Sequence, residues 1–415
     1  MIKNLRATYD EFPGQFWLIM VATLIDLMGG FLILPFFSLY FTEKFGVSLA
    51  QAGLIYAIWA VAGMGGQVIG GALTDRVGRK YMVIAGMIFS TLSSIALALA
   101  PNFIWVYITA AVGGLFSRSA GPARLAMVAD LLPEDKLTEG YAIWRVVSNV
   151  AFAIGPAIGG LLAGISFALL FYIDAATSII TAIFIALFLK ETHSQSAAQK
   201  TSRQSFAQVF SGYIQVLRNH TLVILIVLSG LVGLVYWQWY FSVPVFMRDV
   251  HGMRPQIYGT MMSISGLIVV FIQLPLTRKL RPYSQWLIMA SGSLLFGIGF
   301  GLLGFVAGYS LFMLAFVIIT FGEMIAFPTQ QAIVAQLAPE DMRGRYMAVA
   351  TLAFAIPNMI GPTLGGLLLD HANPNLLWYL AGIVCAVGAV GYIVLYSRKR
   401  PYVIPTKDEE VLPND

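Results

Sequence analysis

The feature that most constrains this chain is a series of apolar runs, each of about 18 to 25 residues, that recurs along nearly the whole sequence. Because an α-helix rises ~1.5 Å per residue, each run can cross the ~30 Å hydrocarbon core of a bilayer. Within that core, helices satisfy all of their backbone hydrogen bonds internally. The pattern predicts an all-α membrane protein with twelve transmembrane helices. The predicted spans lie near residues 17–40, 52–73, 81–100, 103–128, 141–164, 168–189, 220–245, 257–276, 285–306, 309–334, 347–369 and 376–396.

The composition excludes an ordinary soluble protein. Hydrophobic residues make up 58% of the 415 residues and charged residues only 11%, and the mean hydropathy of +0.79 is far above what a soluble surface tolerates. The first apolar run is too long for a signal-peptide core, so we expect it to be retained as a span. The single cysteine, Cys385, falls within the last predicted span, which excludes a disulfide framework.

The distribution of basic residues predicts the orientation of the chain. If both termini are cytoplasmic, most lysines and arginines fall in cytoplasmic segments, and the outer loops hold only Lys44, Arg248 and Arg254. This bias follows the positive-inside rule and predicts a multi-pass protein of the cell membrane. The net charge of +5 then has a membrane explanation, and since no aromatic–basic platform accompanies it, we expect no nucleic-acid partner.

The longest polar stretch between spans, KETHSQSAAQKTSRQSFAQ at residues 190–208, separates predicted spans 6 and 7. Its Ser, Gln and Lys content is typical of a linker, here a cytoplasmic one. We therefore expect two six-helix bundles joined by a linker and followed by a cytoplasmic tail. The predicted boundaries are 1–189 for the first bundle, 190–218 for the linker, 219–398 for the second bundle and 399–415 for the tail.

The two halves carry an internal repeat. GPARLAMVADLLPED at 121–135 aligns with FPTQQAIVAQLAPED at 327–341 at an offset of 206, and the same offset places IGPAIGGLL at 154–162 on IGPTLGGLL at 360–368. Two segments in one register indicate that spans 4 and 5 and spans 10 and 11 are the same unit used twice. Repeated membrane halves that face each other across a central cavity are the usual construction of secondary transporters.

The loop between predicted spans 2 and 3, GGALTDRVGRK at 70–80, crowds charge behind two glycines. It resembles the signature loop of the major facilitator superfamily, and the resemblance covers the whole chain for the fold. LPLTRKLRPYS at 274–284 is a degenerate second copy without the aspartate. The resemblance implies that this loop gates the transporter, with Asp75 against the N-terminus of span 11 in the outward-open state. Alternatively, the basic residues only mark the cytoplasmic face. The loop residues assigned to gating are Gly71, Asp75, Arg76, Gly78 and Arg79.

RSAG at 118–121 resembles the Arg-x-x-Gly pattern of the superfamily in span 4. Two further motifs, AIGPAIGG at 153–160 and GGFLILPFF at 29–37, resemble those of the twelve-span drug:proton antiporter family. The chain departs from the family pattern at Ala151 and Ser38, where a glycine and a proline are frequent. The resemblance implies that Gly155 and Pro156 belong to the gate, and the alternative is a kink that serves helix packing.

Three ionisable residues fall at one depth within the predicted spans. Asp26 lies in span 1, Arg118 in span 4 and Glu323 in span 10, each roughly 12–15 Å from the cytoplasmic end. Inserting a charge at such a depth costs at least ~2.5–3.5 kcal/mol, which marks these residues as functional candidates. Under the resemblance, spans 1, 4, 7 and 10 line the cavity, and we expect the three residues to couple transport to protons. For Asp26 and Arg118 the alternative is a closed ion pair without turnover.

Other charged residues are predicted nearer the membrane faces. Asp174 lies close to the outer end of span 6, and we interpret it as an interfacial residue rather than a proton carrier. By resemblance, Asp130 belongs to the gate, in a charge relay with the span 2–3 loop. Arg145 and Asn149 are four residues apart on one face of span 5 and are expected at the mouth of the substrate cavity. An ordinary interfacial salt-bridge network is the alternative for these residues.

Span 7 carries the aromatic segment YWQWYF at 236–241. Tyr236, Trp237, Gln238 and Tyr240 are assigned to the substrate cavity, where aromatic faces suit a lipophilic, often cationic molecule through stacking and cation–π contact. The alternative is an interfacial belt, which is common for aromatic residues near the end of a span.

No phosphate-binding loop of the Gly-x-x-x-x-Gly-Lys-(Ser/Thr) type is present, and none of the four histidines lies beside a second ligand at metal spacing. The sequence therefore predicts no enzyme, no cofactor beyond a proton gradient and no metal site. We expect a monomeric, proton-coupled secondary transporter that exports lipophilic small molecules across the lipid bilayer. The alternatives are an exporter of a sugar, amino acid or lipid, and a proton-coupled importer of the same fold.

Overall fold

The computed structural model describes residues 9, 11–192, 213–339 and 342–398, without the side chains of Ala72, Asp75 and Glu134. Twelve helices in this part of the chain are long and apolar enough to cross a membrane, which confirms the predicted fold class and spans. Most of the predicted linker and the whole predicted tail lie outside the described residues. The helices are α1 (Gly14–Phe45), α2 (Leu49–Val77), α3 (Arg79–Ala98), α4 (Phe103–Leu131), α5 (Leu137–Ala163), α6 (Phe167–Phe188), α7 (His220–Asp249), α8 (Pro255–Leu280), α9 (Gln285–Leu303), α10 (Tyr309–Leu337), α11 (Arg343–His371) and α12 (Leu376–Arg398).

Local sequence explains where α2 begins and ends. The Ser48 hydroxyl accepts a hydrogen bond from the backbone nitrogen of Gln51 (3.2 Å), and the Gln51 side chain accepts one from the Ser48 nitrogen (3.1 Å). This capping box satisfies two backbone groups that a helix start leaves without partners. At the other end, Gly78 turns the chain into α3 with a φ of 101°, a conformation that strains residues with a side chain. Gly78 is therefore required by backbone geometry, whatever further role the loop has.

Four of the spanning helices are interrupted near the middle of the bundle. A 3₁₀ turn at Leu34–Phe36 breaks α1, and a turn after Ser117 divides α4. Trp237 breaks α7, and Thr351 breaks α11. Irregular backbone at membrane depth is tolerated only where protein or a water-filled cavity surrounds it. The breaks in α1, α4 and α7 lie at buried or half-buried positions and mark interior-facing parts of these helices, whereas Thr351 is exposed.

The described helices form two six-helix bundles. In the first, α1 packs on α5 and α6, α2 packs on α4, and α3 packs on α6; in the second, α9 packs on α10 and α12, and α7 packs on α11 and α12. The two halves meet mainly along two helix pairs, α2 with α11 and α5 with α8. Each pair joins the second helix of one half to the fifth helix of the other.

The sequence repeat is visible in these two pairs. A Cβ added to Gly160 of α5 would lie 3.0 Å from the carbonyl oxygen of Pro255, in the first turn of α8. Its repeat partner, Gly366 of α11, approaches the first turn of α2, where an added Cβ would lie 2.5 Å from the nitrogen of Ala50. The same small residue thus lets the fifth helix of each half contact the second helix of the other half closely, as in small-residue packing of membrane helices.

The contacts between the halves lie toward one side, which we call the Ser48 side after the turn that begins α2. Asp370 accepts hydrogen bonds from the backbone nitrogens of Leu49 (3.0 Å) and Ala50 (2.8 Å), where the helix dipole also favours an anion. Arg248 of α7 donates to the Thr42 hydroxyl at 3.1 Å. The opposite side, at the turn that ends α2, is called the Gly78 side. These hydrogen bonds between the halves involve the Ser48-side portions of the helices, so this conformation is closed there.

The Gly366 contact predicts how this closure can be weakened. Gly366→Ala places a methyl group against the backbone of Ala50, and relief requires α11 to move away from α2. Overpacking of this kind costs about 1–3 kcal/mol, so we expect the Ser48 side to open in a larger fraction of molecules. Distances between spin labels at the exposed positions Pro101 and Asn373, on the Ser48 side, should lengthen.

Gly230→Ala is the matched control, because a Cβ added there meets nothing within 4 Å. It should leave the distance distribution unchanged. A Gly366→Ala variant with the same distances as the unsubstituted chain would contradict the assignment of this contact to the closed side.

Candidate functional site

A cavity of about 840 Å³ lies within the first six-helix bundle, lined by side chains of α1 to α6. This is the size of a pocket for a drug-like molecule. Aromatic rings form much of its wall, and five hydroxyl groups lie on α3 and α4. The aromatic lining residues are Phe31, Phe37, Phe41, Tyr56, Trp59 and Trp144, and the hydroxyl residues are Ser90, Ser93, Ser94, Thr109 and Ser117, of which the first three are on α3. The four charged lining residues are Asp26, Arg118, Arg124 and Asp174.

Asp26 pairs with Arg124, not with Arg118, the partner suggested by its predicted depth. The Arg124 guanidinium lies 2.7 Å from the Asp26 carboxylate, and each side chain is only 15% exposed. The guanidinium of Arg118 instead lies over the Trp59 ring, 4.0 Å from its centroid. The break in α4 turns the two arginines toward different neighbours, so the expectation that Asp26 sits beside Arg118 is wrong for this conformation. Both arginines still line the one cavity.

Asp174 corrects a second prediction. It was expected at the membrane interface, but its side chain is buried, lines the cavity and accepts a hydrogen bond from the Ser94 hydroxyl at 2.5 Å. It packs against Gly29 of α1, where an added Cβ would lie 2.8 Å from its carboxylate oxygen. Asp174 lies about 10 Å from the start of α6. It points inward between α1 and α3, so it does not lie on the outer face of the helix.

Glu323 lies in the second half, on α10, beside the aromatic segment of α7. The Tyr236 hydroxyl donates to the Glu323 carboxylate at 3.2 Å, and the Tyr236 and Tyr240 hydroxyls are 3.1 Å apart. Both tyrosines are only 8% exposed, so the interfacial-belt interpretation does not apply to them. Arg145 of α5, in the first half, lies within electrostatic range of Glu323. The structure thus brings together four predicted site residues from both halves.

The side chain of Gln238 links α7 to α11 by a hydrogen bond. It is 4% exposed and donates to the carbonyl oxygen of Gly361 on α11 at 2.8 Å, while the Ser242 hydroxyl donates to it at 2.6 Å. The ring nitrogen of Trp237 also donates to α11, at the Phe354 carbonyl oxygen (3.2 Å). These bonds occupy Gln238 within the second bundle, which corrects its assignment to the substrate cavity.

None of the six residues predicted for the substrate cavity lines the enclosed volume in the first bundle. Arg145 is exposed and Asn149 partly exposed on α5, whereas Tyr236, Trp237, Gln238 and Tyr240 belong to the second bundle. Prediction from the repeat placed the cavity between the halves. The sequence did not reveal that α1 to α6 enclose a volume of their own, lined by Tyr56, Trp59 and Arg124, which the prediction did not assign to the site.

The predicted charge relay forms in part. Arg79 and Asp130 make an ion pair, and the Arg79 guanidinium also donates to the Ala126 carbonyl oxygen at 2.7 Å. The Glu191 carboxylate accepts a hydrogen bond from the Arg79 backbone nitrogen at 3.0 Å and one from the Lys80 nitrogen at 3.1 Å, so it caps α3. Glu191 was not predicted, although an acidic residue directly after span 6 was a signal for it.

The structure gives less support for a gating role of the other residues in the span 2–3 loop. Arg76 is exposed, and a Cβ added to Gly71 meets nothing within 4 Å, so no close contact requires glycine there. The side chain of Asp75 lies outside the described part of the chain, and its predicted contact with α11 stays a prediction.

Gly155 and Pro156 contribute to packing and to the contact between halves. A Cβ added to Gly155 would lie 2.8 Å from Phe31 Cβ, so Gly155 lets α5 approach α1. Pro156 interrupts the hydrogen bonds of α5. The next nitrogen, that of Ala157, donates to the Ser263 hydroxyl of α8 at 2.9 Å. The packing and gate interpretations of this segment are therefore compatible.

Comparison with protein families gives a match to the profile described as Major Facilitator Superfamily over residues 19–359 and 328–413. The relative named Na(+), Li(+), K(+)/H(+) antiporter, from Planococcus maritimus, is 25% identical over 358 residues, which cover 80% of this chain and 84% of the relative. Multidrug resistance protein MdtH of Yersinia pestis (strain Pestoides F) is 23% identical over 393 residues, which cover 93% and 95%.

The fold is shared with solved transporter structures. The structure of a POT family transporter in complex with 5-aminolevulinic acid superposes with a TM-score of 0.78 and covers 93% of this chain and 96% of its own, at 16% identity. At this level of identity the likeness concerns the fold alone.

The ion pair of Asp26 with Arg124 can be tested by a double-mutant cycle. Arg124→Gln leaves the partly buried Asp26 uncompensated and should cost about 3 kcal/mol of stability, whereas adding Asp26→Asn should recover most of that loss. The measurement is thermal unfolding of the purified protein in detergent. Asp26→Asn with Arg118→Gln is the control and should be additive within about 0.5 kcal/mol. A larger coupling energy for Asp26 with Arg118 would restore the pairing expected from depth.

Proposed function

The chain belongs to the major facilitator superfamily, and we propose that it is a proton-coupled secondary active transporter that exports lipophilic, often cationic, small molecules by alternating access. As a member of this superfamily it is a multi-pass membrane transporter. The observation that carries the finer proposal is the 840 Å³ cavity, which combines aromatic walls with carboxylate and guanidinium groups.

The lining of the cavity supports a lipophilic substrate. Rings of Phe31, Phe37, Tyr56 and Trp59 offer apolar faces that displace water at little cost and can stack on a planar molecule. A cationic molecule gains further from ring faces through cation–π attraction. The similarity to MdtH, a protein named for multidrug resistance, agrees with this substrate class.

The arrangement of the halves supports alternating access. The halves meet through two helix pairs related by the repeat, and the closed Ser48 side leaves the route to the cavity on the Gly78 side. We propose that the Gly78 side is cytoplasmic, as the positive-inside rule predicts, so that this conformation faces inward. Rocking of the halves would exchange it for an outward-facing form, in which Asp75 and the Arg79–Asp130 pair hold the Gly78 side.

Proton coupling is assigned to Glu323 first and Asp26 second. Glu323 lies against the tyrosine hydroxyls of α7, and an unpaired carboxylate at membrane depth is least costly when it carries a proton. Asp26 has Arg124 in contact at 2.7 Å, so its charge has a partner in this conformation. Arg118 contributes a second cation to the cavity, 4.0 Å from the Trp59 ring centroid, rather than serving as the partner of Asp26.

A second candidate is transport of a hydrophilic solute, such as a sugar or an amino acid, in either direction. The hydroxyls of Ser90, Ser93 and Ser94, which lie along one stretch of the cavity wall, favour it because polar solutes need such groups to replace their water. Transport of a lipid is the remaining alternative. Counterflow of sugars and amino acids in the same vesicles as dye efflux separates these substrate classes.

Transport in proteoliposomes under an imposed pH gradient tests the proposal. The unsubstituted chain should move ethidium uphill, and Glu323→Gln should reduce uphill transport at least tenfold, because a permanently neutral side chain cannot exchange a proton. Downhill exchange of ethidium should persist. Asp26→Asn should weaken coupling less.

Glu139→Gln is the matched control, since the Glu139 side chain is 57% exposed and pairs with Lys136 near the membrane surface. It should transport as the unsubstituted chain does. Full uphill transport with unchanged proton uptake in both Glu323→Gln and Asp26→Asn would refute the proton assignment.

A further inference from the structure

Only two of the four charged side chains that line the cavity form an ion pair with each other. Asp26 is neutralised by Arg124 at 2.7 Å. The other two, Arg118 and Asp174, lie on different helices. Arg118 lies on the α2–α4 wall over Trp59, and Asp174 lies on the α1–α3–α6 wall. The cavity therefore has a cationic wall and an anionic wall.

Asp174 is a buried carboxyl group without a cationic partner among the described residues. The side-chain hydrogen bond that the structure shows for it comes from the neutral Ser94 hydroxyl at 2.5 Å. The charged residue that acts on it electrostatically is Asp26, another carboxylate. Close contact with Gly29 of α1 fixes the carboxylate at the cavity surface, since any larger residue at position 29 would displace it. A carboxylate held this way favours a positively charged group beside it.

The wall around Tyr56 offers apolar ring faces. Tyr56 lines the cavity together with Phe37 and Phe41. The Tyr56 hydroxyl is buried without a hydrogen-bond partner among the described residues, and its ring packs edge-on against Phe241 of α7, so Tyr56 contributes its ring rather than a polar group to the cavity. These rings suit the apolar body of a lipophilic cation, whose charge gains from cation–π attraction.

We infer that Asp174 is the residue that recognises the cationic group of the substrate, with the aromatic wall around Tyr56 holding its lipophilic body. This inference deepens the proposed function and rests on it. The Arg118 guanidinium repels a cation from the opposite wall, so the substrate enters with its charge toward α6. Asp174 then selects substrates by charge, while Glu323 in the other half is left to exchange the proton.

Binding of two probes to the purified full-length chain in detergent tests this role. Tetraphenylphosphonium is a lipophilic cation, and N-phenyl-1-naphthylamine is a neutral aromatic molecule. Asp174→Asn keeps the shape and the acceptor for Ser94 but removes the charge, so we expect at least a tenfold weaker Kd for tetraphenylphosphonium. The Kd of N-phenyl-1-naphthylamine should stay within twofold. Asp249→Asn, an exposed carboxylate outside the cavity, is the matched control and should change neither Kd.

Two results overturn the inference: unchanged tetraphenylphosphonium binding in Asp174→Asn, or an equal loss for both probes. If Asp174→Asn does not fold, the unsubstituted chain provides a second test. A hydrophobic carbodiimide should label Asp174, as read by mass spectrometry, and tetraphenylphosphonium should suppress that label at concentrations near its Kd. Labelling that does not respond to tetraphenylphosphonium also overturns the inference.

The same preparations separate this inference from the proposed function. Unchanged cation binding in Asp174→Asn, together with uphill ethidium transport by the unsubstituted chain, rejects only the role of Asp174. An unsubstituted chain that binds neither probe and moves no ethidium rejects both.

Discussion

The close approach of helices at Gly160 and Gly366 is the constraint on which the rest of the structure depends. In a bilayer, helices gain little by hiding apolar surface from one another, so association relies on close packing and on the few polar contacts that close packing permits. Gly366 brings α11 near enough for Asp370 to accept two hydrogen bonds from the start of α2. Gly160 does the same for α5 and α8, where Ala157 donates to Ser263. Two small residues related by the repeat thus set two of the contacts that close the Ser48 side.

Once the helices are this close, the two halves handle buried charge differently. The first bundle neutralises Asp26 with Arg124 across α1 and α4, and it supports Asp174 with a hydroxyl. The second bundle places Glu323 against tyrosine hydroxyls. Hydroxyl groups can donate to a carboxylate and accept from a carboxyl group, so their hydrogen bonds survive a change of protonation, whereas an arginine bond does not. This difference supports assigning the proton to Glu323 rather than to Asp26.

The parts of this structure that could be predicted from the sequence are those set by local composition. Span 6 was expected at 168–189 and lies at Phe167–Phe188, because hydropathy along a segment fixes where it enters and leaves the membrane. The repeat likewise predicted that spans 4 and 5 and spans 10 and 11 are the same unit used twice. The predictions that depended on which way a side chain faces were less successful. Arg118 and Arg124 are six residues apart, and only the break in α4 decides which of them meets Asp26. Gln238 bonds to a residue 123 positions away, which no local pattern reveals.

Under the proposed function, substrate and proton are bound in different halves, so coupling must cross the interface between them. A continuous set of ring contacts makes that crossing at mid-depth. Phe31 lines the cavity and contacts Phe152 of α5 at a centroid distance of 5.3 Å. Phe152 reaches Tyr240 of α7 at 6.4 Å.

The Tyr240 hydroxyl lies 3.1 Å from that of Tyr236, which donates to Glu323. Because Phe152 and Tyr240 belong to opposite halves, rocking of the halves must move one ring past the other. A molecule in the cavity that displaces Phe31 therefore acts on the contact that positions the hydroxyl partner of Glu323. Spatial continuity alone does not transmit energy, but here it coincides with the one movement that alternating access requires. The aromatic segment of α7 then serves the site by joining the proton-binding carboxyl to the substrate cavity rather than by lining that cavity.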